Sequence, residues 1–195
     1  MSTKKNDIVQ AAIKLFSFYG YHMPSIDSIC EEANVSKMTF YRHFKDKNDL
    51  IDTVLNEKKQ SFLKVITNIE QQEICVKDKL FSIFQFYEQW FKSEDFNGCL
   101  FSRALFEAGN TNPNILKINQ SFRNEMLCSL RRILNQVIKP EAAERVSIAI
   151  LMLIDGAIIA QGSHRGSIHN SEYPPSLLAW QSSKALIYAE GGVLV

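Results

Sequence analysis

The first fifty residues narrow the fold most, because apolar positions recur there at helical spacing and turn residues break them at short intervals. Ile8, Ala11, Ala12, Leu15, Phe16 and Tyr19 follow an i, i+3, i+4, i+7, i+8, i+11 series, the stripe of an amphipathic helix. Gly20 supplies its stop. Pro24 and Ser25 form a start signal for a short second helix, with Ile26, Ile29, Cys30 and Ala33 on its apolar side. Asn34 tolerates a left-handed turn, Val35 can plug the corner, and Ser36 can cap a third helix. Two helices joined by a turn of about three residues are helix-turn-helix geometry.

In that third helix Phe40 and Phe44 lie four apart and point into the same small core. At about 100° per residue, Met38, Thr39 and Arg42 then project outward, with Tyr41 and His43 on the flanks and Lys37 at the leading end. From Ser36 to Lys47 the cations Lys37, Arg42, Lys45 and Lys47 face only Asp46, in a chain whose formal net charge is +1. The rest of the chain is therefore slightly acidic. A local basic patch on a near-neutral body suits one face meeting a polyanion, although a solvated helix end carries the same pattern. The arrangement reads as a recognition helix for a major groove.

Lys47 opens a longer helix carrying Leu50, Ile51, Val54, Leu55, Phe62, Val65, Ile66 and Ile69. Further helices are predicted near 76–92, 99–108, 114–138, 141–163 and 175–190, separated by "SEDFNG", "GNTNPN", Pro140 and the polar "GSHRGSIHNSEYPP". No strand alternation appears. The expected fold is all-α with about nine helices: an N-terminal three-helix helix-turn-helix domain over 1–46, then a larger helical domain over 47–195.

Hydrophobic content of 46% and charged content of 22% over 195 residues are those of a soluble globular chain able to bury a core. The most apolar run, Val146 to Ala160, is interrupted by Asp155 and Gly156 and falls short of the roughly 20 residues a bilayer span needs. Polar residues 2–7 give no signal-peptide pattern. Cys30, Cys75, Cys99 and Cys128 are scattered, with no C-x-x-C pair, which suggests a reducing, cytoplasmic setting. Neither a Gly-rich phosphate loop nor a nucleophile elbow or H-E-x-x-H segment is present, so an enzyme is not expected. His164 and His169 sit near Arg165 without metal-ligand spacing, and no metal or cofactor is expected.

Taken together in order, Phe16, Gly20–Tyr21, Ser25, Ile26, Ile29, Ala33, Val35–Ser36–Lys37, Thr39–Phe40–Tyr41, His43–Phe44, Lys47 and Leu50 resemble the N-terminal domain of the TetR family of bacterial transcriptional repressors. Pro24, Asn34 and Met38 depart from that pattern, where Thr, Gly and Gly are common. Later, "FNGCLFSRALFE" and "LMLIDGAIIA" resemble short pieces of the family's ligand-binding and dimerisation domain.

The resemblance implies a homodimer, formed through the helices near 141–163 and 175–190, on a palindromic double-stranded operator. Tyr41 and His43 are the implied phosphate contacts, and Tyr41 could also cover a core edge. Lys47 adds charge at a helix start. Ser25 and Ser36 can combine capping with a backbone contact. Lys37 and Thr39 are the expected base contacts, Met38 could pack on a thymine methyl, and Arg42 could reach a base or a phosphate. A small hydrophobic inducer is implied, with Phe84, Tyr87, Trp90, Phe91, Phe101, Phe106 and Phe122 as lining residues, together with Phe81. The same rings at helical spacing could equally be core. An activator using the same head is the alternative to a repressor.

Overall fold

The computed structural model describes residues 3–94, 96–163 and 173–195; His164, Arg165 and His169 lie outside them. Among the described residues there are nine helices and no strand: α1 Thr3–Tyr19, α2 Ile26–Glu32, α3 Lys37–His43, α4 Lys47–Gln71, α5 Val76–Phe91, α6 Leu100–Ala108, α7 Pro113–Leu134, α8 Pro140–Ser163 and α9 Pro175–Ala189. The expected all-α fold and helix number are both found.

Most boundaries follow local chemistry. Gly20 ends α1 at φ 80°, a left-handed conformation that costs a residue with a Cβ about 1–2 kcal/mol. Pro113 and Pro140 open α7 and α8, where a missing N–H is no loss. α7 stops at Leu134, short of the predicted 138. The N–H groups of Val137 and Ile138 both turn back to the Leu134 carbonyl, at 2.9 and 3.0 Å. Pro140 disfavours helical backbone at Lys139, and the chain tightens into turns before it.

The chain forms two compact units. The first comprises Met1–Ser61 with Cys99–Phe122, the second Phe62–Gly98 with Arg123–Val195. Packing thus draws the N-terminal body more widely than a division at residue 46. Leu50, Ile51, Val54 and Leu55 of α4 are buried in one cluster with Ile8, Phe16, Ile29, Phe40 and Phe44. Phe101, Ala104, Ala108, Ile115 and Ile118, from α6 and α7, complete that core. Three short helices alone bury too little apolar surface to stand, and these later segments supply the rest.

In the second unit α9 packs on α8 and α5. The bidentate pair between Arg145, early in α8, and Glu190, just beyond α9, sets those two helices antiparallel. The buried side of α8 carries Ala142, Ala143, Val146, Ile150, Leu151, Ile154, Ala157 and Ile158.

Candidate nucleic-acid interface

The helix-turn-helix is built from three local devices. Ser25 caps α2, its hydroxyl accepting the Ser28 N–H at 3.1 Å. Asn34 turns the chain at φ 50°, and the Val35 N–H reaches the Cys30 carbonyl at 3.0 Å. Ser36 caps α3, accepting the Thr39 N–H at 3.1 Å, with the two hydroxyls 3.0 Å apart. Each cap satisfies a backbone donor that a short helix would otherwise leave open.

α3 then divides by face. Phe40 and Phe44 are buried, their ring centroids 5.6 Å apart. Met38 is 83% exposed and Tyr41 56%, the Tyr41 ring meeting the edge of Phe40 at 5.4 Å between centroids. Arg42 is exposed and forms no ion pair among the described residues, and the same holds for Lys45. Thr39 is half-buried, its hydroxyl engaged with Ser36.

Three of the nominated side chains are placed in ways the sequence did not indicate. The Lys37 ammonium is held 2.7 Å from Asp27 on α2, and this partner raises its pKa. Lys47 folds back, its ammonium donating to the His22 carbonyl at 3.1 Å, and burial lowers its pKa. His43 turns Nε2 inward, buried without a hydrogen-bond partner. The tautomer that avoids an orphaned N–H carries the proton on Nδ1, the ring atom left for an outside acceptor.

The end of α1 is held by residues that sequence reasoning missed. Glu107 of α6 accepts the Tyr21 N–H at 2.6 Å and the Arg103 Nε–H at 2.8 Å, while Arg103 also donates to the Ser17 carbonyl at 3.0 Å. The Tyr21 hydroxyl donates to the Leu100 carbonyl at 3.2 Å, and burial pushes its pKa up, so it remains a donor. A Cβ at Gly20 would lie 2.6 Å from Glu107 Oε1. Gly20 is thus required by its backbone and by what sits on it. These partners are some 80 residues away in the chain, and no local pattern announces them.

The proposed pocket rings are dispersed. Phe101 stacks on Phe122 at 4.3 Å within the first unit, where Phe106 is 85% exposed. Phe84, Tyr87, Trp90 and Phe91 belong to the second unit. There Trp90 meets Phe62, Tyr87, Phe91 and Phe96, while Phe81 and Phe84 flank Trp180. Among the described residues no three His, Cys, Asp or Glu side chains are placed to hold a metal, and the four cysteines are free. None of the described helices is long and apolar enough to cross a membrane.

Residues 8–54 match the sequence profile of the bacterial regulatory proteins of the tetR family. That match covers the helix-turn-helix and the start of α4, about a quarter of the chain. The fatty acid metabolism regulator protein of Bacillus subtilis is 29% identical over 77 residues, 40% of each chain. HTH-type transcriptional regulator HbdR of an Aromatoleum species is 42% identical over 48 residues, 25% of this chain and 21% of that one. The chain therefore spans well under half the length of these curated relatives in the matched regions. Its fold is shared end to end with SCO4454, a TetR-family regulator of Streptomyces coelicolor, at 22% identity and a TM-score of 0.85 over 97% of both chains. The reduced form of Escherichia coli NemR superimposes with a TM-score of 0.78 at 15% identity, over 94% of this chain and 97% of that one. The N-terminal head thus matches a family of bacterial regulatory proteins, and the all-helical body shares the fold of these solved regulators.

Proposed function

We propose that this protein is a TetR-family repressor that binds a palindromic operator as a homodimer and is released by a small hydrophobic ligand. The two-faced α3 carries the DNA-binding part of this reading: Phe40 and Phe44 are fixed in the core while Met38, Tyr41 and Arg42 face outward. In this reading Tyr41, His43 and Lys47 meet phosphates, as do the caps Ser25 and Ser36. Lys37, Met38 and Thr39 read base edges, and Arg42 does either. The DNA-binding domain is 1–46, with Lys47 contributing its charge from the start of the ligand-binding and dimerisation domain, 47–195.

Dimerisation is supported by α8. Opposite its buried side runs an exposed stripe of Ile148, Met152, Gly156 and Ile159, two of them 64% and 70% exposed (Met152 and Ile159). Nothing lies within 4 Å of a Cβ built at Gly156, which leaves room for close approach of another helix. α9 adds the exposed Leu178 and Leu186. Such surface is covered in a stable protein, and a two-fold dimer covers it while presenting two α3 helices about 34–36 Å apart. Ligand binding is supported by the ring-rich surroundings of α5 in the second unit.

The test is recovery of fragments from sheared host DNA, followed by salt titration. A shared palindrome, bound with an affinity that falls steeply with salt, is expected. Tyr41→Ala should weaken binding to operator and random duplex alike. Unchanged affinity for both would remove Tyr41 from the phosphate contacts, and recovery of no enriched fragment would overturn the operator reading.

A further inference from the structure

Asp27 stands where a DNA-facing surface welcomes it least. It is the second residue of α2, and its carboxylate lies 2.7 Å from the Lys37 ammonium, with the side chains 65% and 61% exposed respectively. Exposed ion pairs stabilise a fold very little, so folding does not account for the pair. A carboxylate repels phosphates, and here it also ties up one of the few cations beside α3. The groups on a duplex that do receive a carboxylate are the exocyclic amines of the major-groove edge, with N4 of cytosine foremost. A lysine, for its part, donates to O6 and N7 of guanine.

Spacing and order narrow the choice. In a G·C pair the guanine O6 and cytosine N4 are hydrogen-bonded to each other, and therefore lie about 2.9 Å apart. Each keeps one lone pair or hydrogen for the groove. The Lys37 Nζ and Asp27 Oδ1 are 2.7 Å apart, so donor can face acceptor and acceptor face donor without separating the two protein charges. For one orientation across the groove, only G·C and T·A present acceptor and donor in that order. G·C adds N7 as a second acceptor for the ammonium, whereas T·A places a methyl group there. The two remaining pairs set ammonium against amine and carboxylate against carbonyl.

We propose that Asp27 and Lys37 act together as the reader of one G·C pair in each operator half-site, Lys37 on guanine O6 and Asp27 on cytosine N4. The inference rests on the reading of α3 as the groove-facing helix. It also gives Asp27 a second effect. By holding Lys37 it keeps that cation from phosphates on random DNA, and so trades general affinity for specificity.

The experiment uses the full chain and a pool of random-sequence duplexes. The site selected by the wild type is then titrated with every base-pair substitution, at several salt concentrations. One position per half-site should demand G·C, with about a tenfold loss for the other pairs. Asp27→Ala and Lys37→Met should each erase the preference at that position and no other. Asp27→Ala should also tighten binding to random duplex, with a slope of log K against log salt steeper by about one as Lys37 takes a phosphate. Asp27→Leu keeps the side-chain bulk without an acceptor and repeats the test if the alanine variant does not fold. An unaltered preference in the Asp27 variants overturns the proposal, and so does an equal weakening on all sequences. A wild-type site with no G·C requirement sinks the paired reader alone; a wild type that selects no sequence brings down the α3 reading with it.

Discussion

α3 and α8 each bury one side and expose the other, yet what they expose is opposite in kind. α3 displays Tyr41, Arg42 and Met38, with Lys37 paired to Asp27 of α2, while α8 displays Ile148, Met152, Gly156 and Ile159 in one stripe. Polar and charged groups around an aromatic suit a partner that is itself charged and hydrogen-bonding. An apolar stripe with a glycine gap suits another apolar helix. In the proposed reading each unit thus has its own partner chemistry: a duplex for the first, a second copy for the second.

The strongest way to break the contrast is from inside the first unit. Phe40→Ala removes a fully buried ring from the core that holds α3, and should cost about 3–5 kcal/mol, measured by urea denaturation. DNA binding should be lost while α8 keeps its stripe, so the variant should still self-associate if the second unit stands alone. A variant that unfolds throughout would show the two units to be one cooperative body.

The matching change in the second unit is Met152→Glu. A carboxylate in an apolar contact that occurs twice by symmetry should weaken the dimer by roughly 2–4 kcal/mol, read by sedimentation at a series of concentrations. The monomer should melt close to the wild type, since Met152 is exposed. An unchanged dimer would move the interface off this stripe.

Smaller effects sharpen the comparison. Gly20→Ala puts a Cβ at φ 80° and 2.6 Å from Glu107, and should destabilise the first unit by about 2 kcal/mol in the same denaturation assay. Ser36→Ala removes one helix cap and should cost about 1 kcal/mol. Measured operator affinity should fall with it, because α3 is short and begins at that cap.

Acid should loosen both units in the same sense. Burial alone would raise the Glu107 carboxyl, but the Arg103 hydrogen bond and the Tyr21 N–H outweigh it, and the pKa ends below the ordinary carboxylate value. In the second unit the Arg132 hydrogen bond does the same for Glu70. A depressed folded-state pKa means stability that is full above the unfolded value of about 4.3 and is lost as pH falls through the folded one. Glu107→Gln and Glu70→Gln should each flatten part of the decline in stability below about pH 4.3, followed by thermal melts. A slope unchanged in either variant would show that carboxylate to be uncoupled from folding.

What the sequence determined by itself was local. The stripe of α1, the stop at Gly20, the caps Ser25 and Ser36, the turn at Asn34 and the burial of Phe40 and Phe44 all follow from interactions within about one helical turn. Those rules work at short range because backbone hydrogen bonding and side-chain periodicity are short-range. Lys37, Met38, Thr39, Tyr41, Arg42 and His43 could be nominated for the same reason: they sit at fixed phases of one short helix.

Only the tertiary structure decided which charges meet and which rings are covered. It paired Lys37 with Asp27, turned Lys47 onto the His22 carbonyl, and sealed His43 Nε2 inside. Glu107 was set on Gly20, and Phe106 was left exposed while Phe101 and Phe122 stacked. Such outcomes depend on which helix comes to lie alongside, often some 80 residues away. A residue's own neighbours in the chain fix its phase on a helix, but not what that face will touch.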